Sequence, residues 1–173
     1  MKIVSGGQTG VDRGAIDAAL DAGVPAGGWC PAGRRAEDGA IDPVYPLTET
    51  PTADYRVRTE WNVRDSDGTL ILNSGALEGG TLLTAQLARR LGRPVLHVDL
   101  GAPARSILAQ TVNWLAFNDI KILNVAGPRE SKRPGIQARA RVFVTDLLNH
   151  LVSRAESGDG QATPVRFGYS DGN

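Results

Sequence analysis

The sequence predicts an α/β fold: an open parallel sheet of about five strands with helices on both faces, in three α/β/α layers. Three observations predict it. Short strand-like apolar runs alternate with helical stripes along most of the chain, the pattern of repeated βαβ units. Glycine-rich turns fall where those runs hand over to the stripes. Glycine is also in excess, at 21 of 173 residues, against an average near ~7%.

The first unit reads as a strand over Lys2–Ser5, a loop over Gly6–Gly10, and a helix carrying Ile16, Ala19 and Leu20 with Gly23 as its stop. Val24–Gly28 reads as a short second strand. From Trp29 to Pro51 no period persists. Pro31, Gly33, Gly39, Pro43 and Pro46 punctuate it, so residues 29–51 are expected to form an ordered surface excursion, long for a connection. Tyr55–Arg64 is expected to be helical and to lead into a strand over Gly68–Leu72. The loop Ser74–Thr81 opens a helix in which Leu83, Leu87 and Leu91 recur every fourth residue, ended by Gly92 and Pro94. Pro94–Val98 is the next strand, Leu108, Val112 and Leu115 stripe a helix, and Lys121–Val125 is the fifth strand. Ile136, Ala140, Phe143, Val144, Leu147 and Leu151 stripe the last helix. Residues 1–152 are therefore expected to form one ligand-binding domain, and 153–173, without apolar period and rich in Gly, Ser, Asp and Pro, a disordered tail.

Composition excludes several classes. Nineteen Lys and Arg cancel nineteen Asp and Glu, which argues against a nucleic-acid partner, because grip on a duplex comes from many cations displacing counterions. A local basic pocket stays allowed. Cys30, the single cysteine, excludes an internal disulfide framework and a cysteine-only zinc cluster, and no structural metal is expected. No apolar run approaches the ~18 residues of a membrane helix. The chain also runs from Met1 straight into a strand with no signal-peptide core. A cytoplasmic protein without a membrane partner is expected.

The chemistry clusters at three corners: Gly6–Gly10 with Arg13, Gly75–Thr81, and Ala126–Arg133. A glycine-rich turn lets backbone approach an anion, and the next helix start points unpaired N–H groups at it. In an open parallel sheet such corners converge outside the carboxyl ends of the strands. Gly6, Gly7, Gln8, Thr9, Gly10, Gly79, Gly80, Thr81 and Ser131 are the expected loop donors, and Arg13, Arg58, Arg64, Arg129 and Lys132 the countercharge. Arg34, Arg35 and Arg56 lie beside these corners too; the alternative is a solvated surface matched by Glu37, Asp38, Asp54, Glu60 and Asp65. No corner matches the P-loop or the dinucleotide fingerprint.

Four stretches, Ser5–Gly14 (SGGQTGVDRG), Gly28–Gly39 (GWCPAGRRAEDG), Thr59–Leu72 (TEWNVRDSDGTLIL) and Leu123–Lys132 (LNVAGPRESK), closely resemble the putative molybdenum carrier family. That family is a circularly permuted YpsA-like branch of the SLOG superfamily, related to the lysine-decarboxylase-like LOG proteins. The resemblance covers about residues 1–152. It implies a Rossmann-like sheet, a phosphorylated ligand that is a nucleotide or a pterin such as molybdenum cofactor (molybdopterin), and a homo-oligomer. LOG phosphoribohydrolases carry an Arg-Lys pair, a Ser-Asp strand start and a Pro-Gly-Gly-x-Gly-Thr-x-x-Glu loop. Arg58, Ser66-Asp67 and Gly79-Gly80-Thr81 match these, whereas Thr59 replaces the lysine and Thr84 the glutamate. The binding half of the LOG pattern is kept and the carboxylate of the hydrolytic half is missing from its place.

The alternative to a binding protein is a nucleotide-processing hydrolase or transferase using Glu130 or Asp12 as acid or base. Each has a structural alternative: Asp12 complements a helix dipole, and Glu130 caps the last helix. Trp29 is the candidate to stack on a ligand ring, against a packing role shared with Trp61 and Trp114. Asp99 ends a strand where some dinucleotide folds bind a ribose. His97 is expected to be buried and satisfied, and Cys30 a half-buried inert thiol.

Overall fold

The computed structural model describes residues 1–156. In chain order the elements are β1 (Lys2–Val4), α1 (Val11–Asp21), β2 (Ala26–Gly27), β3 (Trp29–Cys30), β4 (Arg35–Ala36), β5 (Gly39–Ala40), β6 (Thr48–Glu49), α2 (Tyr55–Arg64), β7 (Gly68–Asn73), α3 (Gly79–Arg90), β8 (Val95–Asp99), α4 (Ala104–Phe117), β9 (Ile122–Ala126) and α5 (Ile136–Glu156). The main sheet is five-stranded in the order β2-β1-β9-β7-β8, parallel throughout, with Ile3 opposite Leu123 and Leu70 opposite Val125. All six residues of β7 are buried, as expected of a parallel strand covered on both faces. One face packs Val11, Ala15, Ile107, Val112, Ile136 and Val144 from α1, α4 and α5. The other packs Val63, Leu87 and Ala88 from α2 and α3.

Three boundaries differ from the sequence reading. Strand β2 is only two residues long because the Val24 N–H returns to the Ala19 carbonyl at 2.9 Å, closing α1 before the chain extends. Helix α3 starts at Gly79, so Gly79 and Gly80 are its first turn and not its preceding loop. Helix α5 continues to Glu156, past the expected domain end at 152. The remainder of the expected tail, 157–173, lies outside the described residues.

The excursion is ordered without being periodic. It holds a parallel pair, β3 with β6, and an antiparallel pair, β4 with β5. Cys30, Ile41 and Leu47 are buried with Ile16 of α1 in a small core of their own. Arg34 organises it. Its backbone sits at φ 49, and its guanidinium donates to the carbonyls of Ile41 (2.9 Å), Leu47 (3.1 Å), Asp42 (2.9 Å) and Tyr45 (2.9 Å). These bonds satisfy carbonyls that have no sheet to join.

Candidate functional site

Strands β1, β9 and β7 are adjacent and parallel, so the loops leaving their carboxyl ends meet. Between them and α2 opens a cleft of about 520 Å³. The β7 corner is held in shape by Asn73, whose Nδ2 donates to the carbonyls of Gly75 and Ala76 at 2.9 Å each. Arg133 Nε ties it to the β9 corner through the Ser74 carbonyl at 3.3 Å. Arg56, Arg58, Arg129, Lys132 and Arg133 line the cleft against one carboxylate among the described residues, Glu78. The Arg129 guanidinium lies 5.1 Å from the centre of the Tyr55 ring, which also lines the cleft. The first turn of α3 borders it with Gly79 and Gly80, where an added Cβ would meet nothing within 4 Å.

Of the residues nominated from the sequence, Gln8, Arg58, Gly79, Gly80, Arg129 and Lys132 line this cleft. The others serve the walls. Gly6 passes under Arg58, with a Cβ there only 1.7 Å from Arg58 Nη1, and Gly10, at φ 83, presses on the Pro128 carbonyl, 2.3 Å from where its Cβ would be. These glycines let two corners and a guanidinium pack together. Gly7 packs against Leu47 of the excursion. Thr81 is buried in the first turn of α3, its N–H bonded to the Glu78 carbonyl at 3.1 Å.

Two consecutive acids at the tip of the excursion take three of the nominated donors. The hydroxyls of Thr9 and Ser131 donate to Glu37, and Arg13 is paired with Asp38 at 2.5 and 2.8 Å. Burial pushes the Glu37 carboxyl up, but the bonds from Ser131 and Thr9 outweigh it and hold it below the usual range. Arg64 lies outside the cleft, bonded to Asp65 at 2.6 Å and stacked over Trp61 at 4.7 Å. Trp29 is there with it. Its ring meets Trp61 edge-on at 4.7 Å and its Nε1 donates to Asp65 at 2.8 Å, and it does not line the cleft.

Neither nominated acid or base faces the cleft. Asp12 is buried beneath Arg58, whose Nη1 donates to it at 3.1 Å; burial pushes its carboxyl up more than Arg58 pulls it down. Glu130 accepts the N–H groups of Gly135 and Gln137 and so caps the start of α5. Ser66 and Asp67 lie at the amino end of β7, where Asp67 accepts the Ile122 N–H at 2.7 Å, far from the corners. The Asp99 carboxylate accepts the Gly101 N–H at 2.8 Å. His97 is exposed, because β8 is an edge strand, and Cys30 is fully buried. Arg56 and Arg133 were visible as charges near the corners, but the side of α2 and of the β9 loop that faces the cleft is set by packing.

Two side-chain nitrogens of cleft-lining residues, Gln8 Nε2 and Arg58 Nε, are buried with no hydrogen-bond partner. Such a donor costs about 1–3 kcal/mol each, and buried polar atoms without partners are rare in native proteins. Among the described residues no cluster of three or more His, Cys, Asp or Glu could hold a metal ion. No helix of the described chain is long and apolar enough to cross a membrane.

Comparison with known proteins agrees with the fold and places the chain. No curated protein matches it. A crystal structure at 1.45 Å resolution of a putative molybdenum carrier protein from Syntrophus aciditrophicus SB is 44% identical, with a TM-score of 0.82 over 84% of this chain and 92% of that one. Residues 3–148 match the circularly permutated YpsA SLOG family. With residues 3–148 of its 173 matched by the family and a solved structure 44% identical over most of its length, the chain belongs to the circularly permutated YpsA SLOG family.

Proposed function

We propose that the cleft binds a phosphorylated, ring-bearing small molecule, a nucleotide or a pterin, and that the protein carries or senses that ligand. The observation that carries this reading is the charge of the cleft: five cations against one carboxylate, inside a chain of zero net charge. Guanidinium groups suit phosphate because their planar fork donates paired hydrogen bonds. The structural neighbour is described as a molybdenum carrier, which makes molybdenum cofactor one ligand to test. The cleft fits the phosphate end of such a group through its arginines and the unpartnered Gln8 amide. The metal would travel as cargo on the organic group.

Support for binding over turnover comes from Asp12 and Glu130, whose carboxylates are committed to Arg58 and to the α5 N-terminus. A homo-oligomer in the cytoplasm completes the reading. Exposed Phe117 on α4 and Val142 on α5 are apolar surface that association would cover, and light scattering on the purified protein tests it.

The direct test is mass spectrometry of what co-purifies, with thermal melts against nucleotides, pterin phosphates and molybdate. A ligand at a hundred times its Kd stabilises by about 2.7 kcal/mol, a rise of roughly 5–10 °C for a domain of this size. A panel that leaves Tm unmoved overturns the reading.

A further inference from the structure

We infer that Gln8 and Arg58 form one oxyanion subsite in the cleft, built to take a phosphoryl group, and that Glu37 is the positioning residue that turns the Gln8 amide toward it. The inference rests on reading the cleft as an anion site and adds which side chains grip the anion and what aims them.

Gln8 is 3% exposed. Its Oε1 accepts two backbone N–H groups, from Thr9 at 3.1 Å and from Glu37 at 2.9 Å. Two donors on one atom settle which end of the amide is oxygen, because the flipped amide would set its NH2 against both N–H groups. Nε2 is therefore the end left over, a donor with no acceptor. Arg58 presents the same deficit. Its Nη1 is spent on Asp12 at 3.1 Å, while Nε donates to nothing. Both residues line the cleft. Both nitrogens are closed to water in the free protein, so an oxyanion reaches them only with a shift of the side chains that cover them.

Two donors and no acceptor select a group that only accepts. Phosphoryl oxygens meet that demand, whether on a phosphate ester or on free phosphate. An ammonium is refused by charge.

The aim of Gln8 depends on the excursion. Glu37 supplies one of the two N–H groups on Oε1. Its own carboxylate is pinned by the hydroxyls of Thr9 and Ser131 and by the Ser131 N–H at 3.2 Å. The excursion tip is thus fastened across the β1 and β9 corners, on either side of the amide that it orients.

The experiment is calorimetric titration of the full chain with inorganic phosphate and with ribose 5-phosphate, alongside the side-chain amide signals of 15N-labelled protein. Gln8→Glu keeps an oxygen for both N–H groups and replaces Nε2 by a second oxygen. It is expected to weaken both probes by about tenfold or more, the worth of a hydrogen bond to a charged group, with the melting temperature of the free protein little changed. Glu37→Ala is expected to weaken them by about threefold to tenfold, and Glu37→Gln, which keeps an acceptor for Ser131, to restore affinity to within about twofold. In the wild type the Gln8 amide signals shift as phosphate is added, a readout that holds even where a variant fails to fold. Tighter binding of ribose 5-phosphate than of phosphate identifies an ester as the source of the anion, and equal binding a free oxyanion. Undiminished binding in Gln8→Glu, or Gln8 amide signals unmoved by a phosphate that binds, overturns the subsite and leaves the cleft reading standing. A wild type that binds neither probe overturns both.

Discussion

Arg34 and Tyr45 show how single side chains hold the excursion in place. Arg34 is one of several arginines read as candidate phosphate ligands or surface charges, yet its donors are spent on four carbonyls of its own segment. Tyr45 fastens the same segment to α1 through a hydrogen bond to Asp17 at 2.9 Å. Burial, then the bond to Asp17, push the Tyr45 phenol from 10.0 up to about 12. The folded state thus keeps a proton that the unfolded chain loses. The stability from this group is whole below the unfolded value and drains away as pH rises from 10 to about 12. Urea midpoints of the wild type should fall across that window, and Tyr45→Phe should fall less. Equal slopes would show that the phenol is not held as described. Neither contact was legible in the sequence, because each joins residues whose spacing follows no period.

Helix starts and the corners before them were the most legible elements, and the structure divides their glycines into two kinds. Gly10 is closed in by the Pro128 carbonyl and carries φ 83, whereas Gly80 stands open at the first turn of α3. Gly10→Ala should therefore cost about 1–3 kcal/mol or more in a denaturation experiment, since it combines a left-handed backbone with a contact that cannot relax. Gly80→Ala should leave stability the same or raise it by up to about 1 kcal/mol, while weakening phosphate binding by crowding the helix start. If Gly80→Ala binds phosphate as the wild type does, the α3 N-terminus takes no part in the site. The sequence marks both as corner glycines with no sign of the difference, which depends on how closely the β9 loop approaches α1.

For the molecule as a whole, charge balance conceals charge separation. The cleft gathers Arg56, Arg58, Arg129, Lys132 and Arg133, while acids such as Glu37 and Asp38 stand at the neighbouring excursion tip, and the sum is zero. Affinity for a phosphorylated ligand should then fall by about tenfold or more between low salt and ~0.5 M salt, as the Debye length shrinks from about 10 Å at 0.1 M toward 3 Å at 1 M. Calorimetry at two salt concentrations checks this, and a salt-independent affinity would argue against a site held mainly by charge. Apolar period and glycine placement alone determined the parallel sheet, its helices and the corners that would meet, because those patterns are local and repeat. Only the tertiary structure decided which corner residues face the cleft: Glu37 and Asp38 close on Thr9, Ser131 and Arg13, and Asp12 goes under Arg58. Those choices are made by ion pairs and hydrogen bonds between distant residues, whose energies depend on positions in space that no local pattern encodes.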